Sequence, residues 1–180
     1  MSSKISIILC TYNEEKYIEK TILELEKNIS NLELVIVDDC SSDGTIEIIK
    51  RLNINNKFKA IFRKKNRGLA SAFVRGLIDT TGDNIGWVDT NMGELAPKFL
   101  DMTKELSLGN DIVILSRYVD GGGDERNFLR VICSKYFNIF CRIILTNSIK
   151  DFSSSIFLMK REVINEVTFL GYGHGEFFIE

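Results

Sequence analysis

The sequence has little of what metal-binding or disulfide-rich domains need. It contains one histidine and four cysteines, and the cysteines, Cys10, Cys40, Cys133 and Cys141, form no C-x-x-C pair. A zinc site of the usual kind, which takes four cysteine or histidine ligands, is therefore not expected. We expect the four cysteines to be reduced and mostly packed in the interior, as is usual in a reducing compartment.

Long apolar runs and an excess of positive charge are also missing. The richest apolar run, Phe137 to Leu145, is interrupted by Arg142 and is shorter than the roughly 18 to 20 residues that span a bilayer. The N-terminus enters a strand pattern at once and has no signal-peptide core. With 23 basic and 25 acidic side chains, no global field favours nucleic acid. We therefore expect a cytoplasmic protein that binds no nucleic acid and meets membranes at its surface.

What is present is an alternation of apolar runs and amphipathic patterns. Five runs predict strands: Ile5–Leu9, Leu34–Val37, Phe58–Arg63, Ile85–Val88 and Asp111–Leu115. Helical patterns that begin near Asn13, Thr45, Gly68 and Pro97 lie between them. Strands that are apolar throughout and separated by helices form parallel sheets covered on both faces. The sequence predicts a three-layer α/β/α domain, doubly wound around a mostly parallel sheet, in a single domain of 180 residues.

The last third of the sequence has a different character. Gly121–Gly123 predicts a flexible loop, and Arg126–Thr146 predicts an amphipathic helix in which aromatic and basic residues alternate. Such a helix either packs on the core or lies in a membrane interface, and we favour the interface. The sequence ends at Phe177–Glu180, which resembles the start of an element, so we expect the chain to be incomplete at its C-terminus.

Polar residues gather where the predicted strands end. In doubly wound sheets ligands bind beyond the carboxyl ends of the strands. Those ends carry Thr11-Tyr12-Asn13-Glu14, Asp38-Asp39, Asp89-Thr90-Asn91 and Ser116-Arg117. A carboxylate at a strand end can accept hydrogen bonds from a base or ribose, so Asp38 and Asp39 are candidate nucleotide contacts. The alternative is a solvated strand end that leads into a helix cap at Asp43 or Thr45.

Asp89 and Asn91 form the candidate metal site. Residues two apart in an extended segment point the same way, so this pair could hold one divalent cation against a diphosphate. Asn91 offers a carbonyl oxygen without charge, so we expect weaker binding of Mg²⁺ or Mn²⁺ than two carboxylates would give. Glu94 is a candidate for the missing charge.

Two arginines are candidate phosphate ligands. Arg67 and Gly68 come directly before a predicted helix, whose free N–H groups and positive dipole end suit a diphosphate. The alternative for Arg67 is a surface side chain in an N-terminal turn. Arg117 follows the fifth strand, where bidentate binding to phosphate is the best-supported use of a guanidinium.

Taken in order, these segments resemble family 2 glycosyltransferases. The resemblance rests on Ile7–Glu14, Val35–Thr45, Asn66–Leu69, Gly82-Asp83 and Asp89–Asn91. Within that family, the second half is similar to the dolichol-phosphate mannosyltransferase group at Asp111–Val113, Ser116–Tyr118, Arg130, Ser134, Asn138 and Asp151–Ser155. The resemblance covers nearly the whole chain and implies the nucleotide-sugar glycosyltransferase type A fold.

The resemblance also implies roles for individual residues. Nucleotide-sugar contacts would come from Thr11, Tyr12, Asn13, Glu14, Asp38, Asp39, Arg67, Gly68, Asp89 and Arg117. Asp89 and Asn91 would hold the metal, Mg²⁺ or Mn²⁺. The reaction centre would contain Asp89, Arg117, Arg130 and Ser134. Of these, Arg130 and Ser134 would lie near the acceptor phosphate. Three residues depart from the family pattern: Asn91, Gly93 and Phe157 stand where an acid, a glutamine and an arginine are usual.

The expected activity is a metal-dependent, inverting transfer of a hexose, mannose or glucose. The donor would be a GDP- or UDP-linked sugar bound by residues 1–118. The acceptor would be a polyprenyl phosphate met by residues 119–180 at the cytoplasmic face of a membrane, with a membrane subunit or a further C-terminal segment as a candidate partner. Two alternatives stay open: a family 2 transferase acting on a glycan or another acceptor, and a catalytically weak nucleotide-binding homologue.

Overall fold

The computed structural model describes residues 3–65, 68–90, 94–119, 122–123 and 127–167. Its strands are β1 (Ile5–Thr11), β2 (Leu32–Asp38), β3 (Lys59–Phe62), β4 (Asn84–Val88), β5 (Ile112–Ile114) and β6 (Phe157–Lys160). Its α-helices are α1 (Ile18–Asn28), α2 (Thr45–Leu52), α3 (Leu69–Ile78), α4 (Ala96–Ser107) and α5 (Phe128–Ile144), and a 3₁₀ turn covers Arg161–Asn165. The predicted βα alternation is confirmed.

The strands form one sheet in the order β3-β2-β1-β4-β6-β5. Strands β1 to β4 are mutually parallel, whereas β6 runs antiparallel between β4 and β5. The mostly parallel sheet is therefore as predicted, but β6 was not predicted. Its four residues follow a serine-rich stretch and lead into a 3₁₀ turn and not into an α-helix, so the strand–helix repeat that identified the other strands does not extend to it.

Helices cover both faces of the sheet. On one face α1, α2 and α4 pack through side chains such as Ile22, Ile49 and Phe99 against alternate strand residues that include Ile7. On the other face α3 packs through Phe73 and Leu77. The period of two in a strand sends successive side chains to opposite faces, and this accounts for the two core clusters. The predicted three-layer doubly wound architecture is confirmed.

The first helix begins later than the sequence indicated. We expected it to open at Asn13, but α1 starts at Ile18. Asn13 has a φ of 58°, in the left-handed region that a helix does not use. Its backbone N–H donates to Ser41 Oγ at 2.9 Å, and its Oδ1 accepts from the N–H of Ser42 at 2.9 Å. These bonds tie the β1–α1 turn to the end of β2, at the predicted ligand-binding edge.

Helix α5 has very little buried surface. Only Asn138 and Cys141 of its described side chains are buried, and eight of its apolar residues are each at least 51% exposed: Phe128, Leu129, Tyr136, Phe137, Ile139, Phe140, Ile143 and Ile144. The helix predicted for residues 126–146 thus exists and contacts the rest of the domain through Asn138 and Cys141, and whether its exposed side meets a membrane interface stays a prediction. No helix in the described part of the chain combines the length and apolar composition that a membrane span requires.

The expectation for the cysteines is half correct. All four are free thiols, but Cys40 and Cys133 are exposed, Cys10 is partly buried and only Cys141 is buried. Cys40 is exposed because it lies in the left-handed turn after β2, with a φ of 61°.

Candidate functional site

The carboxyl ends of β1, β2 and β4 meet at one edge of the sheet. Thr11 and Asp38 are register partners there, and Thr11 Oγ1 donates to Asp38 Oδ2 at 2.9 Å. The same carboxylate accepts from the N–H of Ser41 at 2.9 Å and from its hydroxyl. Asp38 is fully buried, so its carboxylate holds the turn after β2 together and is not exposed to a nucleotide.

Asp39, the second candidate nucleotide contact after β2, is largely buried. Its residue is 7% exposed, and Arg63 Nε donates to Oδ1 at 2.6 Å while the N–H of Gly68 donates to Oδ2 at 2.7 Å. The alternative of a solvated strand end does not hold for Asp39, because Arg63, just after β3, and Gly68, just before α3, close over the carboxylate, and the local sequence does not reveal these donors. Gly68 has a φ of 134°, which few side chains allow, so glycine lets its N–H reach Asp39.

Glu14 links the β1–α1 turn to the end of β4. The hydroxyl of Thr90 donates to Glu14 Oε2 at 2.6 Å, and the backbone carbonyl of Thr90 accepts from the hydroxyl of Thr21 on α1 at 2.7 Å. Tyr12, next to this link, is 53% exposed. Its ring is therefore placed where a base or sugar could reach it.

Asp89 lies directly after β4 and is partly buried. Burial raises the pKa of its carboxyl, Glu14 raises it further, and a 3.3 Å hydrogen bond from Ser155 Oγ opposes the shift. A half-buried carboxylate beside a second acid favours a cation. The described part of the chain holds no cluster of three or more acidic, cysteine or histidine side chains that would bind a metal. A cation at Asp89 would thus need oxygen ligands from elsewhere, as Mg²⁺ commonly takes from substrate phosphates.

Cys10 lies near the carboxylates of Asp39 and Asp89 and near Arg63. Burial raises the pKa of the Cys10 thiol well above its usual range, and the two carboxylates raise it further. A raised pKa disfavours the thiolate, which is the reactive form of cysteine, and this fits a packed thiol.

Phe157 stands where the family resemblance leads us to expect a cation. In the structure it is a β6 residue whose ring lies 5.7 Å from the ring of Phe73 and 6.1 Å from that of Trp87, between centroids. This aromatic cluster fills the α3 side of the sheet. Phe157 therefore contributes to packing.

Arg117 is held by Asp151, an acid that the family resemblance included but to which it gave no role. Its Nε and Nη2 donate to the two carboxylate oxygens of Asp151 at 2.8 and 2.9 Å. Burial alone would raise the pKa of Asp151, but hydrogen bonds from Arg117 and Ser153 outweigh it and keep the pKa below its usual value. The pair is thus ionised, and a bidentate geometry fixes the plane of the guanidinium.

Ser134 of α5 lies beside Arg117 through a shared neighbour. Ser153 Oγ is 2.8 Å from Ser134 Oγ and 2.7 Å from Arg117 Nη2. Arg130 is exposed and precedes Ser134 by one helical turn, on the same side of α5. The structure therefore brings Ser134, predicted near the acceptor phosphate, close to Arg117, predicted to bind the donor phosphates, and it places Arg130 one turn from Ser134 on α5.

Residues 151–155, here called the serine segment, connect the two halves of the site. Its first and third residues contact Arg117 and α5, and its last residue, Ser155, contacts Asp89. The sequence resemblance included this segment but gave it no role. Arg63 was missed entirely, because only its partners in space distinguish it from the other cations of the sequence.

Several predicted residues lie outside the described part of the chain. They are Arg67, Asn91, Gly93, Gly121, Arg126 and Phe177–Glu180. Their predicted roles in phosphate binding, metal binding, the loop before α5 and the chain terminus stay predictions. Glu94, the candidate for the missing metal charge, is exposed and lines a cleft beside α1.

Sequence comparison identifies relatives over most of the chain. The description "Glycosyl transferase family 2" matches residues 6–168. A dolichol-phosphate mannosyltransferase from Pyrococcus furiosus is 36% identical over 172 residues, which are 91% of this chain and 48% of that protein. An uncharacterized glycosyltransferase from Haemophilus influenzae is 38% identical over 89 residues, 48% of this chain and 36% of that protein. The chain spans half or less of these relatives.

Solved structures share the fold. Glucosyl-3-phosphoglycerate synthase from Mycobacterium tuberculosis, in complex with Mn²⁺, UDP and glucosyl-3-phosphoglycerate, matches with a TM-score of 0.68 at 21% identity, over 93% of this chain and 60% of that one. A mannosyltransferase from Pyrobaculum calidifontis, in complex with GDP-mannose and Mn²⁺, matches with a TM-score of 0.66 at 20% identity, over 95% and 48%. The predicted type A glycosyltransferase fold is thereby confirmed.

Proposed function

Because this chain belongs to glycosyl transferase family 2, we propose that it transfers a hexose from a nucleoside diphosphate sugar to a polyprenyl phosphate. The observation that carries the proposal is the serine segment, which contacts Asp89 at one end and the Arg117–Ser134 region at the other. The same segment therefore contacts Asp89, which is suited to a donor diphosphate, and the Arg117–Ser134 region, which is suited to an acceptor phosphate. The likeness to a dolichol-phosphate mannosyltransferase favours mannose as the sugar and a lipid phosphate as the acceptor.

The donor would lie at the ends of β1, β2 and β4. Tyr12 and Glu14 would contact the nucleoside, and Asp39 would present the edge of its carboxylate, already oriented by Arg63. A divalent cation would be held by Asp89, Asn91 and the donor diphosphate, and the Mn²⁺ complexes of proteins with this fold support that choice. When bound, the cation would neutralise charge on the leaving diphosphate.

The acceptor needs orientation more than activation. A phosphate monoester has a second pKa of about 6 and is an anionic nucleophile near neutral pH. Its oxygen would form a bond to the anomeric carbon as the bond from that carbon to the donor diphosphate breaks, and the electron pair would leave with the diphosphate. Attack from the opposite side inverts the anomeric centre. Arg117, Arg130 and Ser134 would align the acceptor oxygen, and no side chain is required as a base.

Helix α5 would lie in the membrane interface. Its apolar residues are exposed, and Arg130, Lys135 and Arg142 accompany them on the same helix. Aromatic and aliphatic side chains beside basic ones are typical of helices that rest on anionic lipid surfaces. We propose that residues 1–118 bind the donor, that residues 119–180 face a lipid acceptor at the cytoplasmic membrane surface, and that a membrane subunit or further chain supplies additional contacts.

The test is transfer of labelled sugar into a lipid product. The chain is incubated with Mn²⁺, a short-chain polyprenyl phosphate and either GDP-mannose or UDP-glucose, and organic extracts are counted. Transfer that requires both the lipid phosphate and the metal is expected. Transfer to a glycan but not to lipid would favour the alternative acceptor, and nucleotide binding without turnover would favour the catalytically weak homologue that Asn91 suggests.

A further inference from the structure

The hydroxyl of Ser153 lies at the centre of a hydrogen-bond network. Its Oγ is 2.7 Å from Arg117 Nη2, 3.1 Å from Asn138 Nδ2, 2.9 Å from Asp151 Oδ1 and 2.8 Å from Ser134 Oγ. Asn138 and Asp151 are buried, at 3% and 1% exposure. The network is therefore a built feature of the junction between α5 and the sheet, because buried polar groups must be satisfied within it.

The orientation of Asn138 follows from its backbone neighbours. Its Oδ1 accepts from the N–H of Phe152, and its Nδ2 donates to the carbonyl of Ser134 at 2.8 Å. The reversed amide would place a donor against the N–H of Phe152 and an acceptor against a carbonyl. Nδ2 therefore faces Ser153 as a donor.

Ser153 links its neighbours by accepting and donating. A serine hydroxyl has one proton and two acceptor positions. Arg117 Nη2 donates to Ser153 Oγ at 2.7 Å, and Asn138 Nδ2 lies within reach of both Ser153 Oγ at 3.1 Å and Asp151 Oδ1 at 3.4 Å. Ser153 Oγ donates to Asp151 Oδ1 at 2.9 Å, and either hydroxyl can be the donor in its 2.8 Å contact with Ser134 Oγ. Ser153 therefore holds Arg117, Asp151 and Ser134 together in one network.

We propose that Asp151 and Ser153 are positioning residues for a phosphate monoester held by Arg117 and Ser134. This inference rests on the proposed function, which supplies the phosphate acceptor. Asp151 fixes the guanidinium plane through two bonds, and Ser153 contacts both Nη2 and the Ser134 hydroxyl, so it sets the distance between the two groups that would hold the phosphate. Because Asp151 and Ser153 engage Nε and Nη2, we assign Nη1 to the ligand.

The test separates acceptor binding from donor binding. Affinities for a short-chain prenyl phosphate in detergent micelles and for the nucleoside diphosphate with Mn²⁺ are measured by calorimetry on the whole chain. Loss of a hydrogen bond to a charged group weakens binding by roughly tenfold or more. Ser153→Ala should therefore raise the prenyl phosphate Kd roughly tenfold and leave the nucleotide Kd unchanged. Asp151→Asn should weaken the prenyl phosphate more, because it also loses the charge that orients Arg117.

Two further variants make the result specific. Ser153→Thr keeps the hydroxyl at an exposed position and should restore the wild-type Kd for prenyl phosphate. Ser107→Ala removes a hydroxyl that bonds a backbone carbonyl at the far end of α4 and should change neither affinity.

Inorganic phosphate should compete with the prenyl phosphate in wild type if the headgroup is what the site binds. Failure to compete would show that binding comes from the lipid chain and would overturn the inference.

The remaining outcomes distinguish the inference from its premise. If wild type binds nucleotide but not prenyl phosphate, the proposed acceptor is wrong. If wild type binds both and Ser153→Ala binds both equally well, the positioning role is wrong while the proposed function stands. If Ser153→Ala weakens both ligands together, or Ser153→Thr fails to restore binding, the network is structural only and the inference is overturned.

Discussion

Arg63 and Asp39 join the ends of β3 and β2 through a buried ion pair, with Arg63 Nε 2.6 Å from Asp39 Oδ1. The guanidinium also donates to the hydroxyl of Ser71 at 3.0 Å and to the carbonyl of Gly68 at 3.1 Å. Three elements, β2, β3 and α3, therefore meet at this pair. Asp39, which the family resemblance assigns to the nucleoside, therefore also links these three elements.

Replacement of Asp39 should affect both stability and binding. Asp39→Ala leaves the guanidinium of Arg63 buried without its carboxylate, which costs about 3 to 5 kcal/mol in comparable sites. We expect urea denaturation to show a loss of that order, together with weaker nucleotide binding. The double variant Asp39→Ala with Arg63→Met should recover part of the stability but none of the affinity. Full recovery of affinity in the double variant would remove Asp39 from the nucleotide site.

The metal site can be tested by changing its two residues in opposite directions. Asn91→Asp adds an anion and should tighten Mn²⁺ by roughly tenfold in the presence of nucleoside diphosphate, because hard cations gain affinity from carboxylates. Turnover need not rise in parallel, because tighter product binding slows release. Asp89→Asn should nearly abolish metal-dependent donor binding.

Metal titrations provide the measurement, and Asp101→Asn, which alters an exposed carboxylate on α4, is the control. Equal metal affinity in all variants would place the cation elsewhere.

The exposed face of α5 should bind lipid without supporting the fold. Phe137, Phe140 and Ile144 are 51 to 62% exposed. Replacing all three by serine should abolish sedimentation of the protein with anionic liposomes and leave its thermal unfolding midpoint and its nucleotide affinity nearly unchanged. The matched control replaces Ile54, Ile78 and Leu108, which are 74 to 77% exposed, by serine. This variant should still bind liposomes. Equal loss in both triple variants would mean that any exposed apolar residue suffices and that α5 has no special role.

Glu33 should make stability depend on pH in the acid range. Burial raises its pKa, but hydrogen bonds from Ser6, Thr81 and Lys4 outweigh this and lower it from 4.5 to about 2. A carboxyl with a lowered folded-state pKa stabilises the protein fully above pH 4.5, and the stabilisation is lost as the pH falls toward 2. Glu33→Gln should cost about 2 kcal/mol at pH 7, less than the full shift because solvent screens the group. Urea midpoints across pH should therefore converge with wild type near pH 2. A constant difference would show that the pKa shift is absent.

The sequence predicted the elements whose signals are local. Strands β1 to β5 are apolar runs and helices α1 to α4 follow them, so hydrophobic periodicity was enough. It failed where a tertiary contact decides the outcome. Asn13 is left-handed because Ser41 and Ser42, about 28 residues away, bind it. Asp39 is buried because Arg63 and Gly68 reach it, and Arg117 is engaged by Asp151, 34 residues later. Periodicity within a window cannot show such partners.

The position of β6 sets an order of events during synthesis. In the described part of the chain, β5 pairs with no strand other than β6, and β6 ends at Lys160. Once the chain has been synthesised as far as β4, strands β1 to β4 can pair, because all of their partners are then present. Strand β5 cannot join the sheet until β6 has been made, about forty residues later, and those residues include all of α5. The apolar face of α5 is therefore made before the sheet can close.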